Sequence, residues 1–137
     1  MKKSLLIATL LLSAGASSQA NELFLSIHSA APMAQGAGLV LASQAVEQKI
    51  PVRVLLCDAA GDIAVTGKEM PTLKPRNVTP QQMLQNLIKA GATVEVCALY
   101  LPNAGRQSAD LLTGVTAAKP ADVAAYLMKP GVRTLAF

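Results

Sequence analysis

Thr79-Pro80-Gln81-Gln82-Met83-Leu84-Gln85-Asn86-Leu87-Ile88-Lys89-Ala90-Gly91-Ala92-Thr93-Val94-Glu95-Val96-Cys97 decides the fold. Its first half carries every mark of a helix start: Thr79 as N-cap, Pro80 at the first helical position, and Gln82 completing a T-x-x-Q capping box. Met83, Leu84, Leu87 and Ile88 then form one apolar stripe, opposite Gln81, Gln85 and Lys89, and Gly91 closes the helix as its C-cap. From Ala92 to Leu99 the pattern changes to a nearly continuous apolar, β-rich run. A capped helix feeding an apolar strand is the unit whose repetition builds a parallel sheet.

The same alternation extends in both directions. Upstream, Leu23 to Ile27 and Pro51 to Cys57 are two further short apolar runs, the near-continuous kind expected of a sheet covered on both faces. Between them, Met33 to Lys49 places Leu39, Ala42 and Val46 at helical spacing, with Gln44, Glu47 and Gln48 on the other side. Its start, Gln35-Gly36-Ala37-Gly38, is small enough to allow close backbone approach. Downstream, the spacing predicts a loop over Leu101 to Gln107, a short helical turn over Ser108 to Leu112 and a weak strand at Gly114 to Ala117. A helix from Pro120 to about Lys129, with Val123 and Leu127 inward, and a closing strand from Val132 to Phe137 complete the chain. The predicted class is α/β, a three-layer α/β/α arrangement around a mainly parallel five-stranded sheet with right-handed crossovers. Asp58 to Val78 is long for a connection, and such loops are commonly lids or oligomer contacts.

The N-terminus reads as an export signal. Lys2 and Lys3 precede an apolar run, Leu5 to Leu12, and a small-residue stretch ending Ser18-Gln19-Ala20, which predicts cleavage after Ala20. An apolar run of about ten residues is half of the roughly 20 needed to span a bilayer, so no membrane span is expected after cleavage. Residues 21–137 then make a single domain, placed in the periplasm or outside the cell. The net charge of +4 includes Lys2 and Lys3, and the remaining basic residues are scattered singly, which is no nucleic-acid footprint. With no tryptophan and two phenylalanines the core must be aliphatic, and a base-stacking platform is excluded.

Ligands of open parallel sheets bind beyond the carboxyl ends of the strands. Three residues fall near those ends: His28 after the first strand, Cys57 at the end of the second and Cys97 in the third. Cys97 sits in Val94-Glu95-Val96-Cys97-Ala98-Leu99-Tyr100-Leu101 and is either an inert core thiol or an exposed nucleophile whose pKa is lowered by Arg106 or the turn at Ser108. An oxidising compartment also allows a Cys57 to Cys97 disulfide, provided the strand order brings them together. His28, the single histidine, is open to base, ligand or local hydrogen-bonding roles. It lacks the cysteine or histidine spacing of a zinc site, and the chain has no P-loop, nucleophile elbow or dinucleotide fingerprint, so neither metal nor cofactor is expected. Asp58 and Asp62 flank Gly61 in a strand-to-loop turn, and Lys68, Lys74 and Arg76 make the long loop locally basic.

From Pro51 onward the chain resembles the DsrE/DsrF-like family of small sulfur-metabolism proteins. The resemblance rests on Val52-Arg53-Val54-Leu55-Leu56-Cys57-Asp58 before a long loop, on the capped helix leading into Val94-Glu95-Val96-Cys97, on Ala109-Asp110-Leu111-Leu112-Thr113-Gly114-Val115, and on the ending Lys129-Pro130-Gly131-Val132-Arg133-Thr134-Leu135. It implies a layered α/β/α fold, homo-oligomers (trimers or hexamers), and persulfide sulfur carried at the Cys97 position between a donor or acceptor protein or small thiol, sulfurtransferase-like at most and without a metal. In this chain Arg106, His28 and Cys57 would support Cys97; Cys57 is an added thiol that departs from the family pattern and would act as a resolving partner or lock Cys97 in a disulfide. Many exported relatives have a second cysteine three residues on, where Tyr100 stands here, so an internal C-x-x-C exchange is ruled out. The alternative is a non-catalytic, oligomeric small-ligand-binding or interaction module, its pocket formed by His28, the Gly36/Gly38 helix start and the long loop.

Overall fold

The computed structural model describes residues 21–137, so the expected signal segment lies outside the described residues. The elements run β1 (Glu22–Ile27), α1 (Pro32–Glu47), β2 (Val52–Leu56), a 3-10 segment (Asp58–Ala64), α2 (Pro80–Lys89), β3 (Thr93–Val96), α3 (Tyr100–Asn103), a 3-10 turn (Ser108–Asp110), β4 (Val115–Ala117), α4 (Pro120–Leu127) and β5 (Val132–Ala136). All five strands are parallel, in the order β4-β3-β2-β1-β5. The α/β class and the parallel five-stranded sheet are therefore as the alternation predicted.

The observed strand order and the right hand of the crossovers together fix the face each helix covers. The chain steps from β1 to β4 in one direction and then jumps back past β1 to β5, so right-handed crossovers put α1 and α2 on one face and α4 on the other. Packing agrees: Leu25 of β1 meets α1 at Gly38, whereas Phe24 meets the Tyr126 ring of α4 at 6.0 Å. The core lies on the α1/α2 face, where Leu25, Ile27, Leu39, Val54, Leu56, Leu84, Leu87, Val94 and Val96 are all but inaccessible. Each such aliphatic side chain contributes about 1.5–3 kcal/mol.

The other face is thinner than the apolar strand runs suggested. Its cover is the eight-residue α4, none of whose residues is buried, and Val123 and Leu127 are only half-buried. The strands accommodate this with polar residues: Arg53 and Glu95 form a 2.7 Å ion pair across β2 and β3, and the Arg53 guanidinium lies 4.9 Å from the centre of the Tyr126 ring.

The capping box at Thr79 forms in full, with the Gln82 amide donating to the Thr79 hydroxyl and the Thr79 amide donating to the Gln82 side chain. Gly91, at φ 93°, takes the left-handed position just past the helix end. The segment after Asp58 is not a free loop. Ile63, Ala64 and Val65 are buried, and Gln81, expected on the outer side of α2, donates to the carbonyls of Ile63 and Val65 at 3.0 and 2.7 Å. β3 ends at Val96, three residues short of the apolar run, because the chain turns at Cys97 into α3, where the pattern had suggested only loop.

Candidate functional site

The site forms where β2 and β3 end together. Leu56 pairs with Val96 as the last in-register pair, so Cys57 and Cys97 are the next residues on adjacent strands. The Cys97 amide donates to the Leu56 carbonyl at 2.8 Å and the Cys57 amide to that of Ile27 at 2.9 Å, which carries the ladder one step past the strands. Asp58 then reverses the chain with φ at 49°, in the left-handed region that aspartate tolerates better than most residues.

Both thiols are free and half-buried. Burial pushes the Cys57 thiol up to about 12, reinforced by its hydrogen bond to Cys97, the charge there, and the nearby Asp58 carboxylate. Cys57 and Cys97 thus face each other across the ends of two adjacent strands, and burial favours the neutral thiol at Cys57.

A cavity of about 520 Å³ opens over the pair, walled by Asp58, Ala59, Asp62, Leu99, Tyr100, Asn103 and Ala104. Tyr100, buried, donates its hydroxyl to Asp62 Oδ1 at 2.7 Å, and Lys68 Nζ approaches Asp62 Oδ2 at 2.8 Å. The Lys68 ammonium and the Tyr100 hydroxyl hold the Asp62 carboxyl below its usual value against the opposing effect of burial, with help from the Arg106 charge. Burial and then the Asp62 carboxylate raise the Tyr100 hydroxyl well above its ordinary value of 10. Gly61 has no side chain because the Tyr100 ring lies against its Cα, in the space a Cβ would fill.

No family model and no curated protein matches the sequence. Among solved structures, the ychN protein from E. coli superposes with a TM-score of 0.73 at 21% identity, covering 85% of this chain and 99% of that one. The chain has a YchN-like fold. A protein of unknown function from Methanobacterium thermoautotrophicum shares it at a TM-score of 0.62 and 14% identity, over the same 85% of this chain and 99% of its own.

Within this YchN-like fold the four residues singled out from sequence separate into two groups. Cys57 and Cys97 come together. Arg106 is exposed in the turn after α3, its amide donating to the Leu101 carbonyl, and its charge acts on Asp62 and Tyr100. His28 is exposed at the end of β1, where its Nε2 and the Ser26 hydroxyl are 2.6 Å apart, and it does not line the thiol cavity. Asp62, read from the sequence as a turn carboxylate, and Tyr100, read only as the residue replacing a second cysteine, are wall residues of the cavity. The short step from Val96 to a helical Tyr100-Leu101-Pro102-Asn103 was the only local cue.

The pocket expected of a binding module is also different in composition. A groove of about 460 Å³ does run along α1 beside the long loop, lined by Gly36, Val40, Leu73, Lys74, Arg76 and Met83 among others. Leu73 packs onto Gly36, as the small helix start suggested. His28 and Gly38 are not part of it; Gly38 faces Leu25 and the Phe137 ring instead.

Proposed function

We propose that this chain is a persulfide carrier of the sulfur-relay type with Cys97 as the acceptor thiol. The observation that carries it is the juxtaposition of two free thiols, Cys57 and Cys97, on adjacent strand ends beneath an open cavity at the carboxyl edge of the sheet. Cys97 as thiolate attacks the outer sulfur of a perthiol donor, RS–SH; a new S–S bond forms on Cys97, the donor's S–S bond breaks, and RS⁻ leaves. The cavity admits a small donor or the tip of a protein loop. Tyr100, bonded to Asp62, and Asn103, bonded to the Leu99 carbonyl, give the same cavity a fixed polar wall. The proposal includes export, with cleavage after Ala20, and self-association as a trimer or hexamer, for which the exposed Met33, Val40 and Leu41 of α1 offer apolar surface.

Intact mass after treatment with a perthiol, with and without reductant, tests the assignment. Cys97→Ser should abolish a reductant-removable gain of about 32 Da. Equal loading of the variant and the wild type would end the proposal.

The groove beside α1 supports a second reading, a ligand-binding module independent of sulfur chemistry, because its size suits a small molecule and its wall is largely apolar. That reading requires ligand-dependent thermal stabilisation that survives replacement of both cysteines.

A further inference from the structure

The geometry points to Cys57 as a resolving thiol that converts the Cys97 persulfide into a Cys57–Cys97 disulfide and releases hydrogen sulfide. This rests on Cys97 being the acceptor, as proposed above, and changes the outcome: the protein reduces sulfane sulfur rather than only carrying it.

Three observations lead there. Cys57 and Cys97 follow directly on the Leu56–Val96 pair of adjacent parallel strands. Neighbouring strands lie about 4.8 Å apart, inside the roughly 4.4–6.8 Å range of Cα separations that a disulfide spans. Both side chains line the same cavity as free thiols, so neither has to cross the sheet to meet the other. Finally, the chain has two cysteines, and the position three residues after Cys97 is Tyr100, whose hydroxyl is committed to Asp62. Cys57 is the thiol within reach of a sulfur on Cys97.

The step balances as Cys97–S–SH + Cys57–SH → Cys97–S–S–Cys57 + H₂S. The Cys57 sulfur attacks the inner sulfur, Cys97 Sγ; the bond between inner and outer sulfur breaks, and the outer sulfur departs as H₂S, taking the Cys57 proton. The outer sulfur is reduced by two electrons and the two cysteine sulfurs are oxidised to the disulfide. Attack at the inner sulfur expels hydrosulfide, a good leaving group, whereas attack at the outer sulfur would only move the persulfide from Cys97 to Cys57. An external dithiol then reduces the disulfide and restores both thiols. Over one cycle a perthiol and a dithiol give a thiol, a disulfide and H₂S.

Reduced, full-length protein is mixed with glutathione persulfide, without other reductant, and released sulfide and intact mass are followed together. Wild type should release about one equivalent of sulfide per chain and end about 2 Da lighter, whereas Cys57→Ser should keep a stable adduct of about 32 Da and release no sulfide above the Cys97→Ser background. A wild-type adduct as long-lived as that of Cys57→Ser, with no excess sulfide, overturns the resolving role while leaving Cys97 as acceptor. Failure of both proteins to take up sulfur overturns the acceptor assignment and the resolving step with it. The wild-type measurement needs no substitution, so poor folding of a variant cannot mask the result.

Discussion

A single missing methyl shapes the cavity wall. Gly61 sits where the Tyr100 ring lies against the backbone, and that ring position is what lets the hydroxyl reach Asp62 at 2.7 Å. Gly61→Ala forces the ring outward in a packed region. The expected cost is about 1–3 kcal/mol, from overpacking and from a strained or broken hydrogen bond, measured by denaturant unfolding. A change under about 0.5 kcal/mol would mean that Tyr100 moves freely and is no fixed part of the wall. Asp62 shows how much one residue's setting depends on its neighbours. Alone in the sequence it is a turn carboxylate, but with Lys68 and Tyr100 on its two oxygens it becomes a fixed charge.

At the scale of elements, α4 is held less by burial than by one side chain. Tyr126 packs on Phe24 and receives the cations of Arg53 and Lys129, each 4.9 Å from its ring centre. Burial, then the Glu22 carboxylate, raises its hydroxyl to about 12, against 10 for a free tyrosine. A phenol whose folded pKa is raised folds better neutral, so its contribution is complete below pH 10 and is lost as pH rises from about 10 to about 12. Unfolding free energy should therefore fall through that window, and Tyr126→Phe should flatten the part owed to α4. Identical pH dependence in the variant would show that the tyrosine does not anchor the helix. By contrast, α2 stands on local chemistry: its capping box and apolar stripe are both readable from Thr79 to Ile88, and both form.

For the whole molecule, the order β4-β3-β2-β1-β5 makes neighbours of two cysteines 57 and 97 residues along the chain. Oxidation would close a loop of about 40 residues, which by chain-entropy arguments stabilises by up to about 4 kcal/mol. In a domain of this size the oxidised form should melt on the order of 10 °C higher than the reduced form, a difference that Cys57→Ser should erase. Equal melting temperatures for verified oxidised and reduced protein would mean that the bridge strains the strand ends by as much as it gains.

The α/β class, the five strands, the capped helix and the placing of Cys57 at a strand end were legible in the sequence, whereas Cys97 was expected within the third strand and stands just past its end. The legible features follow from local rules: side-chain periodicity, capping chemistry and the position of apolar runs. The half-open second face was not legible, because Arg53 and Glu95 fall on neighbouring strands only through the pairing of β2 with β3. Neither were the Tyr100–Asp62 wall, the loop clamped by Gln81, or the separation of His28 from the thiols. Contacts between residues tens of positions apart depend on which strands become neighbours, and strand order is a property of the folded sheet that no local pattern encodes.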